Sequence, residues 1–173
     1  MRSADARAGF EEFVTARRDA LFRSAYLLTG NAADADDLVQ TALLAAVPRW
    51  SRIRERPEPY LRRVMVNAHI SRWRRHRGRE RLGDAPPEVA AAASGVSREE
   101  SLDLLAALKR LTPRQRAVIV LRYHAGCSER EIAETLQIAT GTVKSTASDG
   151  IRRLRELLGD WDAEPADPQP SSR

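Results

Sequence analysis

The stretch LTPRQRAVIVLRYHAGCSEREIAETLQIATGTVKST, residues 111–146, dictates helix starts in close succession. Thr112 stands at an N-cap, Pro113 at the first helical position, and Gln115 where it closes a capping box. That helix is expected to bury Val118, Leu121 and Tyr123 and to stop at Gly126. Ser128 caps the next, with Glu131 in the reciprocal position and Cys127 and Ile132 at the two ends of a hydrophobic staple. In the second helix Ile132 and Leu136 face inward, and small Ala133 admits a close crossing. Gln137–Thr140 makes a short turn with Ile138 beneath it. Thr140 or Thr142 then caps a third helix whose inner positions are Val143, Ala147, Ile151, Leu154 and Leu158. This is a helix-turn-helix. Its last helix offers Thr142, Lys144, Ser145, Thr146 and Asp149 to a major groove, with Arg152, Arg153 and Arg155 further along for phosphates. An ordinary helical hairpin satisfies the same caps; the short turn and the basic last helix favour DNA.

Helical spacing recurs upstream. Phe10, Phe13, Val14, Leu21, Ala25 and Leu28 repeat along one face, and Thr29–Gly30 closes that helix. Asn31 caps the next, with Asp34 complementing its N-terminus; Leu38, Ala42 and Ala45 share its inner face, and it ends around Pro48. A third segment begins near Pro59 and runs through Tyr60, Leu61, Val64, Ala68 and Trp73 into Arg and Gly. GDAPPEVAAAASGVS, residues 83–97, reads as a linker, and helical periodicity resumes at Leu102, Leu105 and Leu108. No strand-period segment is long enough to count. The fold class expected is all-α: two small helical domains, 1–81 and 102–158, joined by a flexible linker over 82–101, with a disordered polar tail over 159–173.

Charge supports a polyanionic partner. Between Arg49 and Arg81 twelve Arg face three Glu, a net of +9, and residues 112–158 carry +3. The segment between is slightly acidic, so two positive blocks could make two contacts with one polyanion. One cysteine excludes an internal disulfide and argues against a cysteine zinc site. No apolar run reaches a membrane span and the first residues lack a signal-peptide core, so a soluble cytoplasmic protein is expected. Scattered His69, His76 and His124, with no Gly-rich phosphate loop, form no catalytic, metal or cofactor site.

With those features in place, the chain resembles a family. Residues 111–145 look like region four of bacterial sigma factors, while YLLTGNAADADDLVQTALLAAVPRW and PYLRRVMVNAHISRWRRHR resemble region two. The two blocks stand in the right order around a linker with no room for a region-three domain. This is the layout of the extracytoplasmic-function sigma factors of the sigma-70 family, and it covers roughly Phe10 to Leu158.

The resemblance implies a non-enzymatic initiation factor that binds core RNA polymerase, at the clamp helices of the large subunit and the flap, and recognises −10 and −35 promoter elements. By resemblance Asp37, Leu38, Val39 and Gln40 meet the clamp helices; Thr41 stands where the family commonly has Glu. Asn67 matches the position that reads a base flipped from the non-template strand, a task suited to an amide. Tyr60, where the family often has Trp, could stack on the melted strand. Arg62, Arg63, Arg72, Arg74, Arg75 and Arg77 are −10 phosphate candidates. After GTVKS many relatives continue with basic residues, whereas Thr146, Ser148 and Asp149 follow here. An anti-sigma partner is left open. The competing readings are a stand-alone helix-turn-helix regulator, which would bind promoter duplex without polymerase, and a polymerase-binding interaction protein that initiates poorly.

Overall fold

A computed structural model of the chain describes residues 2–76 and 98–159, all helices and turns with no strand among them. The chain divides into two compact units, residues 1–88 and 89–173.

In the first unit, α1 (Arg2–Thr29) closes at Gly30, whose φ of 82° is readily reached only without a side chain. Helix α2 (Ala32–Ala46) starts at Asn31, whose Oδ1 accepts from the Asp34 N–H at 2.8 Å while its Nδ2 donates to Asp34 Oδ2 at 2.7 Å. Ala35, Ala42 and Ala46 are fully buried, which lets α2 pack closely against both α1 and α4. A 3-10 turn over Val47–Arg49 and the short α3 (Trp50–Ile53) follow. Trp50 is buried, with Phe10 edge-on at 5.1 Å and Phe13 at 5.3 Å between ring centroids. This aromatic anchor ties the start of α1 to α3.

Helix α4 (Pro57–His76) starts earlier than Pro59, and its core phase differs from the expected one. Leu61, Met65 and Val66 are buried; Val64 and Ala68 are half-exposed and Trp73 is 40 % exposed. Apolar residues lie on nearly every side of this helix, so periodicity alone does not fix which side turns in. On α2 the inner face likewise ends on Ala46 rather than Ala45, whose carbonyl instead serves Tyr60.

In the second unit, α5 (Arg98–Lys109) begins inside the stretch expected as linker: Arg98, Glu99 and Glu100 are good helix formers that extend it ahead of Leu102. The remainder of that linker and most of the tail lie outside the described residues. Helix α6 (Pro113–Ile119) has the expected capping box, with Thr112 Oγ1 accepting from the Gln115 N–H at 3.2 Å and Gln115 Oε1 from the Thr112 N–H at 3.1 Å. It widens into a π turn over Val120–His124, so residues 116 to 121 are buried in an unbroken run while Tyr123 stays half-exposed. Arg116 belongs to that run, and burial lowers its pKa to about 10.

Gly126 (φ 64°) ends the turn, and the Cys127 N–H returns to Leu121 O at 2.9 Å. Helix α7 (Glu129–Leu136) has its Ser128–Glu131 capping box, and Cys127 and Ile132 are buried as a staple requires. Helix α8 (Thr140–Leu158) is capped by neither Thr140 nor Thr142. Ala139 occupies the N-cap in extended conformation and no side chain accepts from the first turn. Both threonines fall inside the helix, too late to cap it. Val143, Ala147, Gly150 and Leu154 form its buried stripe against α5, α6 and α7.

The turn between α7 and α8 passes through Gln137 at φ 55°, ψ 48°, the described non-glycine residue in left-handed conformation. A side chain there is strained. Gln137→Gly is therefore expected to stabilise the second unit, by about 0.5–1 kcal/mol after the added freedom of the unfolded chain is deducted. Urea melting of the two proteins checks this; an unchanged or lower midpoint refutes it.

Candidate functional site

Three surfaces gather the predicted residues. On α2, Asp37 and Gln40 are exposed, but Leu38 and Val39 are each only 3 % exposed. Both pack into the core, and of the two only Leu38 joins Asp37 and Gln40 on the surface of α2. Its continuation is Thr41, whose Oγ1 donates to the Asp37 carbonyl at 2.8 Å, and Leu44, 71 % exposed. These side chains line a groove of about 540 Å³ whose opposite wall is Ala68, Arg72 and Arg75 of α4. An exposed apolar side chain flanked by an acid and an amide has the mixed character of a protein-binding surface. Nothing in the amino-acid order marks Leu44, because helical spacing alone does not separate an exposed leucine from a core one.

On α4, Asn67 is exposed in the middle of an uninterrupted helix. It neither caps nor breaks that helix, which removes the structural reasons for an Asn at this position. Arg63, Arg74 and Arg75 are exposed and Arg62 half-exposed, while Arg77 lies outside the described residues. Tyr60 is half-exposed. Its hydroxyl donates to Ala45 O at 3.0 Å and the Arg49 guanidinium lies 5.8 Å from its ring centroid, so it ties the start of α4 to the end of α2. Arg72 is held by carboxylates, with Nη2 at 3.1 Å from Asp34 Oδ1 and 3.3 Å from Asp37 Oδ2.

On α8, Thr142, Lys144, Ser145 and Arg152 are exposed and Thr146, Asp149 and Arg153 half-exposed. Asp149 does not stand alone among phosphates: its Oδ1 accepts from Arg152 Nη2 at 2.7 Å. The pair presents one directed guanidinium rather than a bare acid. Arg153 pairs with Glu156 at 2.9 Å. Glu129, at the start of α7, lies 3.2 Å from Arg122 Nη1 and 3.7 Å from Lys144 Nζ, linking the π turn to α8. No sequence signal marks Glu129, since its partners come from other elements.

Among the described residues no group of His, Cys, Asp and Glu could hold a metal, and no helix is long and apolar enough to cross a membrane.

Both units of the chain are similar to known proteins. Residues 13–79 match the family model for sigma-70 region 2, and residues 101–154 that for sigma-70 region 4. The chain is 40 % identical over 151 residues to the RNA polymerase sigma-E factor of Streptomyces avermitilis, covering 86 % of this chain and 84 % of the relative. It is 36 % identical over 145 residues to the ECF RNA polymerase sigma factor SigL of Mycobacterium tuberculosis, covering 80 % of this chain and 82 % of that protein. Among solved structures it is similar to the sigma factor RpoE in complex with the anti-sigma factor NepR from Bartonella quintana. That match has a TM-score of 0.68 at 28 % identity, over 86 % of this chain and 96 % of that one. CnrH in complex with the cytosolic domain of CnrY matches with a TM-score of 0.63 at 25 % identity, over 90 % and 93 % of the two chains.

Proposed function

The chain belongs to the extracytoplasmic-function sigma factors of the sigma-70 family, initiation factors that direct RNA polymerase to promoters, and we propose that it divides this work among the three surfaces above. The exposed α2 face of Asp37, Gln40 and Leu44 docks on the polymerase clamp. Asn67 on α4 reads a base of the opened −10 element, with Arg63 and Arg74 on the flanking phosphates. The exposed start of α8, with Lys144, Ser145 and the Asp149–Arg152 pair, reads the −35 duplex. The units 1–81 and 102–158 act as the two promoter-binding modules. The chain contributes binding and no chemistry of its own, and it acts in the cytoplasm at the nucleoid.

The observation that carries this reading is Asn67, an exposed amide in an unbroken helix on the same side as exposed Arg63 and Arg74. A stand-alone regulator is not favoured: the exposed α2 groove would have no partner. Solved relatives bound to anti-sigma factors make such a partner the expected regulator here as well.

The polymerase face is tested by Asp37→Ala with Gln40→Ala. Both side chains are exposed, so melting should not change. Assembly with core polymerase, in competition with another sigma factor, should weaken on the order of tenfold. Unaltered assembly would remove this face from the reading.

A further inference from the structure

Four of the five arginines of α4 fall on two stripes. Arg63, Asn67 and Arg74 repeat at spacings of four and seven, and Ala68, Arg72 and Arg75, at spacings of four and three, lie about 100° further around the helix. Only the second stripe lines the groove beside Asp37, Gln40 and Leu44. Within it Arg72 Nη2 touches Asp34 Oδ1 at 3.1 Å and Asp37 Oδ2 at 3.3 Å. Asp34 is itself fixed by Asn31, whose Oδ1 caps α2 at the Asp34 N–H and whose Nδ2 donates to Asp34 Oδ2.

We propose that Arg72 is a positioning residue of the polymerase contact and not a ligand of DNA phosphate: it holds the Asp37 carboxylate in place on the α2 face. The inference rests on the reading of that face as the polymerase-binding one. A guanidinium shared by two carboxylates has its charge more than offset, which weakens its pull on a phosphate. Drawing it away to DNA would leave Asp34 and Asp37, three residues apart on one helix face, repelling each other. An unheld Asp37, well exposed, would spread over several rotamers, and a partner would have to order it on binding. Exposed ion pairs add little to folding stability, so this function separates cleanly from the fold.

The test is a double-mutant cycle on the full chain with core polymerase: Arg72→Gln, Asp37→Ala, and both together, beside Arg74→Gln. Arg72→Gln should weaken assembly about two- to five-fold. The double variant should assemble no worse than Asp37→Ala alone, since Arg72 acts through that carboxylate. At saturating polymerase, Arg72→Gln should leave the salt dependence of −10 fork binding unchanged, while Arg74→Gln reduces its slope by about one. Normal assembly with a reduced salt slope would make Arg72 a phosphate ligand and overturn the proposal. Fully additive losses would overturn it too, because Arg72 would then act independently of Asp37. If Arg72→Gln melts early, Arg72→Lys takes its place in the cycle, with the same non-additivity expected. Should Asp37→Ala itself leave assembly intact, the polymerase-face reading fails first, and that result is distinct from the others.

Discussion

A chain carrying Gly150→Val is expected to lose about 1–3 kcal/mol of stability in its second unit, and −35 recognition with it. Gly150 lies on the buried stripe of α8, where a Cβ would meet Ile119 Cγ1 at 3.1 Å, Ile119 Cδ1 at 3.2 Å and Gln115 Cβ at 3.7 Å. Ile119 is itself 4 % exposed, so it has little room to retreat. Two effects oppose each other at this site. Glycine inside a helix costs about 1 kcal/mol relative to alanine, so Gly150→Ala sets a gain of that size against a contact a few tenths of an ångström too tight. Alanine should come out near neutral. Valine adds two further methyls at the crossing, and there the steric cost wins.

Shortening the obstructing side chain by Ile119→Val should recover part of the loss, since it removes Cδ1, one of the two carbons in the way. Urea melting of the four proteins and duplex binding by the assembled holoenzyme supply the measurements. Polymerase assembly through α2 should persist, because Asp37 lies in the other unit. A Gly150→Val chain that melts and binds like the parent would show that the α6–α8 crossing does not set the pose of the recognition helix.

Gly150 also marks the limit of what the amino-acid order discloses. The capping boxes at Thr112–Gln115 and Ser128–Glu131 were legible because every partner lies within three residues. The αL turn at Gly126 and the Asn31 cap follow the same local logic. Of the inner positions that spacing marks on α8, Val143, Ala147 and Leu154 are buried, while Ile151 and Leu158 are half-exposed. Helix α4 carries apolar residues on nearly every side, and there the expected phase placed Trp73 inward although it is 40 % exposed.

Thr140 and Thr142 have good cap chemistry, but the helix begins at a point set by the turn through Gln137 and Ile138. Local propensity yielded to the geometry of the crossing. What stayed invisible is long-range. Arg72 and Asp37 are 35 positions apart, and nothing near either residue announces the other. The Asp149–Arg152 pair was within reach at three positions, yet the family pattern drew attention to a missing basic residue instead of to the neighbour that neutralises the acid.

Asn67→Ala is expected to abolish discrimination at one position of the −10 element, by about 1–3 kcal/mol, while leaving the fold intact or slightly firmer. The two signs differ for separate reasons. Asn is a poorer helix former than Ala by a few tenths of a kcal/mol, and Asn67 sits exposed in the middle of α4, so removing its amide should not cost stability. An amide that donates to and accepts from one extruded base edge, however, loses both bonds on truncation, and only for the base it fits. Arg74→Ala, on the same stripe, should weaken every promoter alike and flatten the salt dependence, as a phosphate contact does. Run-off transcription on promoters varied one base at a time in the −10 element separates the two patterns. Core polymerase binding and −35 duplex binding should match the parent for both variants, since neither side chain lies in the α2 groove or on α8. An equal drop on every promoter for Asn67→Ala, or a lowered melting midpoint, would make Asn67 a structural residue and move base reading elsewhere on α4.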